Sequence, residues 1–304
     1  MEFFTFAIKQ GANMIDFFQM VVSGIAVGSS YALMGLAMAL IYKTSEVVNF
    51  AQGEMALLSS FFAFMIMEHW QISVYIAIPA TLAFSLFLGF FLEFAVLRRA
   101  KDPSVLGMII ITIGLEMILM GFVSWKFGAN HKALPFPISP YESVSLGGIY
   151  VSALEVLTFG VALFLMLSLF LFFKFSSLGV AMKATQQNPM AARLMGIRTN
   201  RIMMMTWGIS SVTGCFAGLS IAVTLMHPYM MWDPMLKGFA AAVMGGMTSL
   251  PGAVFGAYLL GIIENLFGGY ISIEFKSVVA FVIIVLVLCF KPSGLFARHY
   301  VKKV

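Results

Sequence analysis

Long apolar runs separated by short polar connectors dominate the chain. Runs of about 20 residues recur, the length that a helix needs to cross roughly 30 Å of hydrocarbon. Only helices and closed barrels satisfy their backbone hydrogen bonds in lipid, and these runs are too long for barrel strands. The pattern predicts an all-α, polytopic membrane protein with about 8–9 membrane segments, over residues 17–42, 47–67, 74–96, 105–127, 153–173, 202–226, 236–248, 252–269 and 275–291.

Residues 236–269 differ from the other runs because glycine and proline interrupt them. Gly245-Gly246 and Pro251-Gly252 are expected to break the helix, and the first limb is only about 13 residues long. Broken helices are tolerated at membrane depth only when they are buried in protein or line a cavity. We therefore expect a broken or re-entrant hairpin inside the bundle.

A second interruption follows the first run. Asn49, Gln52 and Glu54 lie within six residues of one another. They are compatible with a polar turn at the membrane surface, and equally with a discontinuous helix whose polar start lies beside a translocation path. Our hypothesis is that this cluster borders a cytosolic gate.

Glu116 is the charged residue placed nearest the middle of a run. Burying an ionised carboxylate in a membrane is costly, so Glu116 should face the bundle interior, pair with another group or be protonated, as a structural or a pathway carboxyl. We expect it to be mainly structural. Glu264 is nearer the end of its run, and we expect it to snorkel to the surface or to be solvated.

Composition supports the membrane assignment, with 61% hydrophobic residues, 10% charged residues and a mean hydropathy of +0.98 over 304 residues. No soluble domain is expected beside a single transmembrane domain over residues 1–304. Residues 1–16 lack the features of a cleaved signal and suit an interfacial segment.

Basic residues predict the orientation. The connectors 43–46, 97–104, 174–201 and 291–304 hold one, three, five and four Lys and Arg residues, 13 of the 18 in the chain. Basic residues concentrate on the cytosolic side of membrane proteins. We therefore expect the N-terminus outside and the C-terminus in the cytosol.

The polar stretch 179–201 predicts a small separate helix. Asn188 before Pro189 is a typical helix start, and Gly196 is a typical stop. A helix of about seven residues is unstable alone in water, so it needs a partner groove or a lipid surface. Four residues between the cap and the stop are expected to form its apolar side: Ala191, Ala192, Leu194 and Met195.

Catalytic and metal-binding motifs are missing from the sequence. It contains no G-x-x-x-x-G-K-S/T phosphate loop, and its four histidines lack metal-ligand spacing. We therefore predict a transporter rather than an enzyme, with no cofactor and no metal.

Several segments together resemble the permeases of bacterial ABC importers, specifically the H-subunit kind of the high-affinity branched-chain amino acid family. The resemblance covers roughly residues 20–296, in the segments Asn49–Glu54, Ala181–Asn188, Ala191–Ile197, Gly238–Gly246, Pro251–Gly261 and Lys291–Phe296. It implies a multi-pass inner-membrane subunit that works with a second homologous permease, two cytosolic ATPases and an external binding protein. The loop 181–197 is then similar to the coupling helix that fits into an ATPase groove.

Other functions remain compatible with the residues. Related permeases carry urea, short amides or sugars, and broken helices with Glu116 would also suit a secondary transporter driven by an ion gradient. A gradient-driven carrier does not need the short cytosolic helix. The expected function is therefore ATP-driven import of branched-chain or other hydrophobic amino acids.

Overall fold

The computed structural model describes residues 14–100, 104–139, 142–291 and 294–296. The all-α prediction is confirmed, and six described helices are long and apolar enough to span a membrane. Residues 1–13 of the predicted interfacial segment lie outside the described residues, and Met14 begins the first helix.

The helices follow one another with short connections. Their bounds are α1 Met14–Ser45, α2 Gln52–Phe64, α3 Val74–Ala95, α4 Val105–Phe127, α5 Ala153–Phe175, α6 Ser177–Gln187, α7 Pro189–Leu194, α8 Thr199–Ala222, α9 Trp232–Gly245, α10 Leu250–Tyr270 and α11 Lys276–Phe290. A π-helical turn, Met65–His69, extends α2, and a 3-10 turn, Leu97–Arg99, follows α3. The strands β1 Ser143–Leu146 and β2 Ile149–Ser152 form an antiparallel hairpin.

Helix α1 lies at the centre of the bundle, where residues 31–41 are all buried. It packs against α10 through glycine. A methyl group on Gly28 would lie 2.9 Å from the Ala257 carbonyl oxygen, and one on Gly24 would lie 2.7 Å from the Ile262 Cα. The two backbones therefore approach more closely than any side chain would allow.

The hairpin predicted at 236–269 consists of α9 and α10, which run antiparallel. Gly246, which has a φ of 101°, ends α9 and separates it from α10. The Ser249 side chain caps α10 by accepting from the Gly252 N–H at 3.2 Å. The N–H groups of Leu295 and Phe296 donate to the Met244 and Gly245 carbonyls at 2.8 and 3.1 Å. The C-terminal segment thus satisfies carbonyls that the end of α9 leaves unpaired.

The tip of this hairpin lies at one end of the bundle, which we call the basic end. There the Lys43 ammonium donates to the Thr248 carbonyl at 3.1 Å, and the Arg98 guanidinium donates to the Asn200 carbonyl at 3.1 Å. At the other end, the opposite end, Gln19 exchanges two hydrogen bonds with the Tyr150 backbone. The tip of the hairpin therefore reaches the basic end of the bundle.

Candidate functional site

The polar residues predicted at 49–54 meet inside the bundle, in what we call the mid-bundle cluster: Asn49, Gln52, Glu54, Glu116 and Ser210. The Asn49 side chain donates to Gln52 Oε1 at 3.2 Å, and the Gln52 amide donates to the Ser210 carbonyl at 3.2 Å. The Ser210 hydroxyl lies 2.7 Å from the Ala37 carbonyl oxygen and 3.0 Å from Gln52 Oε1, so its single hydrogen is shared between these two acceptors. These bonds tie the start of α2 to α1 and α8.

This cluster lies deeper than a surface turn would. After α1 ends at Ser45, residues 46–51 turn back into the bundle, and α2 begins beside Ala37. Along a helix axis, Ala37 is about 12 Å from Ser45. The structure therefore contains the discontinuous helix, with the start of α2 inside the bundle.

Two carboxyl groups lie together in the mid-bundle cluster. Glu54 is 2% exposed and Glu116 is 8% exposed, and they are close enough to interact electrostatically. Among the described residues, the Glu54 Oε2 atom has no hydrogen-bond partner. Glu54 is in the first turn of α2, where the helix dipole favours negative charge.

Glu116 shares its face of α4 with Thr112, whose hydroxyl accepts from the Phe50 N–H at 3.3 Å. Both residues are buried, whereas Met117 and Ile118 on the other side of α4 are each 67% exposed. Glu116 therefore faces the interior beside the segment that leads into α2, as the sequence analysis expected.

A second group of charges, which we call the charge clamp, was missed by the sequence analysis. The Lys237 ammonium lies 2.6 Å from Glu264 Oε1 and 2.7 Å from Asp233 Oδ2, and the Tyr31 hydroxyl donates to Glu264 Oε2 at 3.1 Å. Glu264 is 1% exposed, so the expectation of a snorkelling or solvated carboxylate was wrong. Lys237 is also buried.

A signal for the charge clamp was present in the sequence. Lys237 lies eight residues before Gly245 and Glu264 lies twelve residues after Gly252, so an antiparallel hairpin with its break between these glycines brings the two side chains towards each other. Asp233 and Lys237 are also four residues apart, a spacing at which side chains on a helix meet. The clamp joins α9, α10 and α1 towards the opposite end.

The short loop helix, α7, has the start and stop that the sequence predicts. The Asn188 side chain accepts from the Ala191 N–H at 3.0 Å, Pro189 follows in the first turn, and Gly196 has a φ of 82°. Together with α6, this helix forms a protruding segment at the basic end, which we call the loop helix segment, residues 177–197.

The exposed side of α7 differs from the expected apolar side. Ala192 is 4% exposed and packs inward, whereas Met190, Leu194 and Met195 are 73%, 86% and 83% exposed. Arg193 turns back towards α8, where its Nε donates to the Thr199 hydroxyl at 3.0 Å. Ala191 is exposed as expected. The apolar tip is therefore made by Met190, Leu194 and Met195.

Metal binding finds no support in the described ranges, which contain no group of three His, Cys, Asp or Glu residues suited to hold an ion. The predicted break residues Gly245, Gly246, Pro251 and Gly252 all lie at the hairpin tip. The chemistry that this arrangement offers is hydrogen bonding and charge in an apolar bundle, together with an apolar tip at its basic end.

A family described as the permease component of branched-chain amino acid transport systems matches residues 20–288. The high-affinity branched-chain amino acid transport system permease protein LivH of Salmonella typhimurium is 30% identical over 305 residues, covering 95% of this chain and 98% of that protein. The corresponding protein BraD of Pseudomonas aeruginosa is 29% identical, with the same shares covered.

One solved structure is similar in fold. PsaBC from Streptococcus pneumoniae in complex with Fab has a TM-score of 0.50 and 13% sequence identity, with 93% of this chain and 95% of that chain covered.

Proposed function

The chain belongs to the family of permease components of branched-chain amino acid transport systems, and from this membership we propose that it is a membrane-spanning subunit of an ATP-driven importer of branched-chain amino acids. The observation that carries the proposal is the match to named relatives over 95% of this chain and 98% of theirs. The alternatives, a urea or short-amide permease and a gradient-driven carrier, have no such support.

We assign ATPase docking to the loop helix segment. A tip made of Met190, Leu194 and Met195 exposes three large apolar side chains on a helix of six residues. A helix this short gains its stability from packing, and the apolar tip requires a partner groove. In this assignment Asn188, Pro189 and Gly196 shape the helix, and the tip contacts a cytosolic ATPase.

The proposed orientation has the basic end in the cytosol, with the N-terminus outside. Seven basic side chains from separate connectors share that end, as the positive-inside rule expects: Lys43, Arg98, Arg99, Lys183, Arg193, Arg198 and Arg201. The proposed partners are a second homologous permease, two ATPases at the basic end and a binding protein at the opposite end.

We propose that the mid-bundle cluster borders the translocation path. A path for aliphatic zwitterions needs apolar walls and a few polar groups, since tight binding midway would slow release. Asn49, Gln52 and Glu54 supply such groups at the start of a half-length helix, the arrangement by which broken helices form transport sites. Glu116 is assigned a mainly structural role on the face of α4 that lies beside the segment leading into α2.

Reconstitution tests this proposal. The chain is co-expressed with its ATPase, permease and binding-protein partners, and uptake of labelled leucine, isoleucine and valine is compared with uptake of urea in proteoliposomes. ATP-dependent uptake of the amino acids supports the proposal. Uptake of urea alone, or uptake that follows an ion gradient without ATP, overturns it.

Two matched variants test whether the loop helix segment docks on the ATPase. Leu194→Glu should weaken ATPase association by placing a charge in an apolar groove, a change that costs a few kcal/mol, or roughly tenfold or more in affinity. Leu225→Glu places the same charge on an exposed leucine near the opposite end and should leave association unchanged. Equal association in both variants would contradict the assignment.

A further inference from the structure

A cavity lies at the basic end, between the loop helix segment and the helices of the bundle. Its volume is about 330 Å³, and its walls come from the ends of α1 and α3, from α4, from the loop helix segment and from the start of α8. Small-molecule sites usually have volumes of roughly 300–1,000 Å³. The cavity is therefore large enough for a small ligand and is separate from the mid-bundle cluster.

The charges of this cavity favour a ligand with a carboxylate. Arg98 is paired with Glu93 at 2.8 Å, so those two charges compensate each other. Arg193 also lines the cavity, and among the described residues it has no carboxylate partner. Guanidinium groups bind carboxylates through paired, charge-assisted hydrogen bonds.

The rest of the lining favours a small aliphatic group beside that carboxylate. Met108, Met203 and Trp207 form an apolar wall, while Thr185 and Thr199 place hydroxyl groups near Arg193. The Glu93–Arg98 pair adds a carboxylate that can accept from an ammonium group. An α-amino acid with an aliphatic side chain matches all three features.

We propose that this cavity is a second amino acid site, on the cytosolic side, which binds the imported product and slows transport. The inference rests on the proposed function for the substrate class and for the side of the membrane. Arg193 would hold the α-carboxylate, and the wall of Met108, Met203 and Trp207 would hold the side chain.

The sign of the effect follows from where the cavity lies. Pro189 and Arg193 belong to α7, whereas Met203 and Trp207 belong to α8. A ligand that contacts both helices therefore holds α7 in one position against α8. A ligand that binds one arrangement better than the others stabilises that arrangement. Because a transporter changes its arrangement in every cycle, a ligand that stabilises one arrangement slows transport.

The test uses the complete complex in proteoliposomes, with leucine loaded inside and uptake of external labelled leucine measured. Each variant is normalised to its own rate without internal ligand. Internal leucine should inhibit the native complex, and Arg193→Gln should raise the concentration needed for half inhibition by roughly tenfold or more, since a charged hydrogen bond to the carboxylate is lost. Met203→Phe, which fills part of the cavity, should act in the same direction.

Arg201→Gln is the matched control, because it removes a positive charge from an exposed residue at the same end that does not line the cavity. It should leave inhibition unchanged. Internal 4-methyl-2-oxopentanoate keeps the carboxylate and the side chain of leucine but lacks the ammonium group. It therefore tests whether the site recognises the ammonium group. Inhibition by leucine but not by the oxo acid assigns a contact to Glu93, and inhibition by both assigns recognition to the carboxylate and the side chain.

The proposal is overturned if internal leucine leaves a working complex uninhibited, or if Arg193→Gln and Arg201→Gln shift inhibition equally. A complex that takes up no branched-chain amino acid would instead contradict the proposed function. The two failures are therefore distinguishable in one preparation.

Discussion

The charge clamp and the mid-bundle cluster both bury ionisable groups in an apolar bundle, but they satisfy them differently. In the charge clamp, Glu264 uses both carboxylate oxygens, one on Lys237 at 2.6 Å and one on Tyr31 at 3.1 Å. In the mid-bundle cluster, Glu54 keeps one oxygen without a partner among the described residues, and its neighbouring charge is another carboxyl, Glu116.

This difference separates a stabilising role from a working one. A buried charge that is paired and hydrogen-bonded is compatible with an apolar interior. Removing one partner leaves the other charge uncompensated and is strongly destabilising. A buried carboxylate left partly unsatisfied lowers stability, so its retention needs another reason, which in membrane proteins is usually function. We therefore expect substitutions in the charge clamp to act on stability and substitutions at Glu54 to act on transport.

Lys237→Met gives the largest expected effect. It leaves the Glu264 carboxylate buried with Tyr31 as its remaining partner, and removal of one partner from a buried pair costs about 3–5 kcal/mol. Thermal unfolding of the purified complex in detergent should show a large loss of stability. The double variant Lys237→Met with Glu264→Gln should recover most of that loss, and a double variant as unstable as the single one would contradict the role of the pair.

Glu54→Leu should produce the reverse pattern. Replacing an incompletely satisfied carboxyl with an apolar side chain should leave thermal stability unchanged or higher, whereas uptake should fall by about tenfold, equivalent to roughly 1.4 kcal/mol of lost transition-state stabilisation. Stability is measured as for Lys237→Met, and uptake in proteoliposomes. Glu54→Gln, which keeps an acceptor oxygen, should retain more uptake. Normal uptake in Glu54→Leu would remove this residue from the path.

Glu116→Gln should have a smaller effect, because Gln preserves the shape and hydrogen-bonding capacity of a structural carboxyl. Uptake is expected to fall by less than about threefold, under roughly 0.7 kcal/mol, and loss of repulsion with Glu54 should favour a slightly higher thermal stability. An assembled complex that hydrolyses ATP but takes up no leucine would place Glu116 in the pathway instead.

Local signals in the sequence predicted much of this structure. Apolar run length gave the helical spans, Asn188 and Gly196 gave the bounds of α7, and glycine and proline gave the hairpin break. Each of these signals acts within a few residues of the chain, so a single sequence is enough to find it.

Tertiary contacts decided the rest. The Lys237–Glu264 pair depends on how α9 folds onto α10, and the depth of the Asn49–Glu54 segment depends on its bonds to α8. Ala192 points inward because α7 packs on the bundle. Its apolar character alone could not show that it is buried and is not part of the exposed tip.

Asp233→Asn is the smallest expected change, and it divides the charge clamp into its exposed and buried halves. Asp233 has 56% of its side chain exposed, whereas Glu264 has 1%, although Lys237 contacts both at similar distances. Solvent-exposed ion pairs contribute about 0–1 kcal/mol, so thermal stability should barely change and should depend little on salt. Because Lys237 keeps its buried partner, uptake should also stay near the native rate. A loss of stability close to that of Lys237→Met would show that Asp233 and Glu264 hold Lys237 as one unit, and the clamp would then extend to the surface of the opposite end.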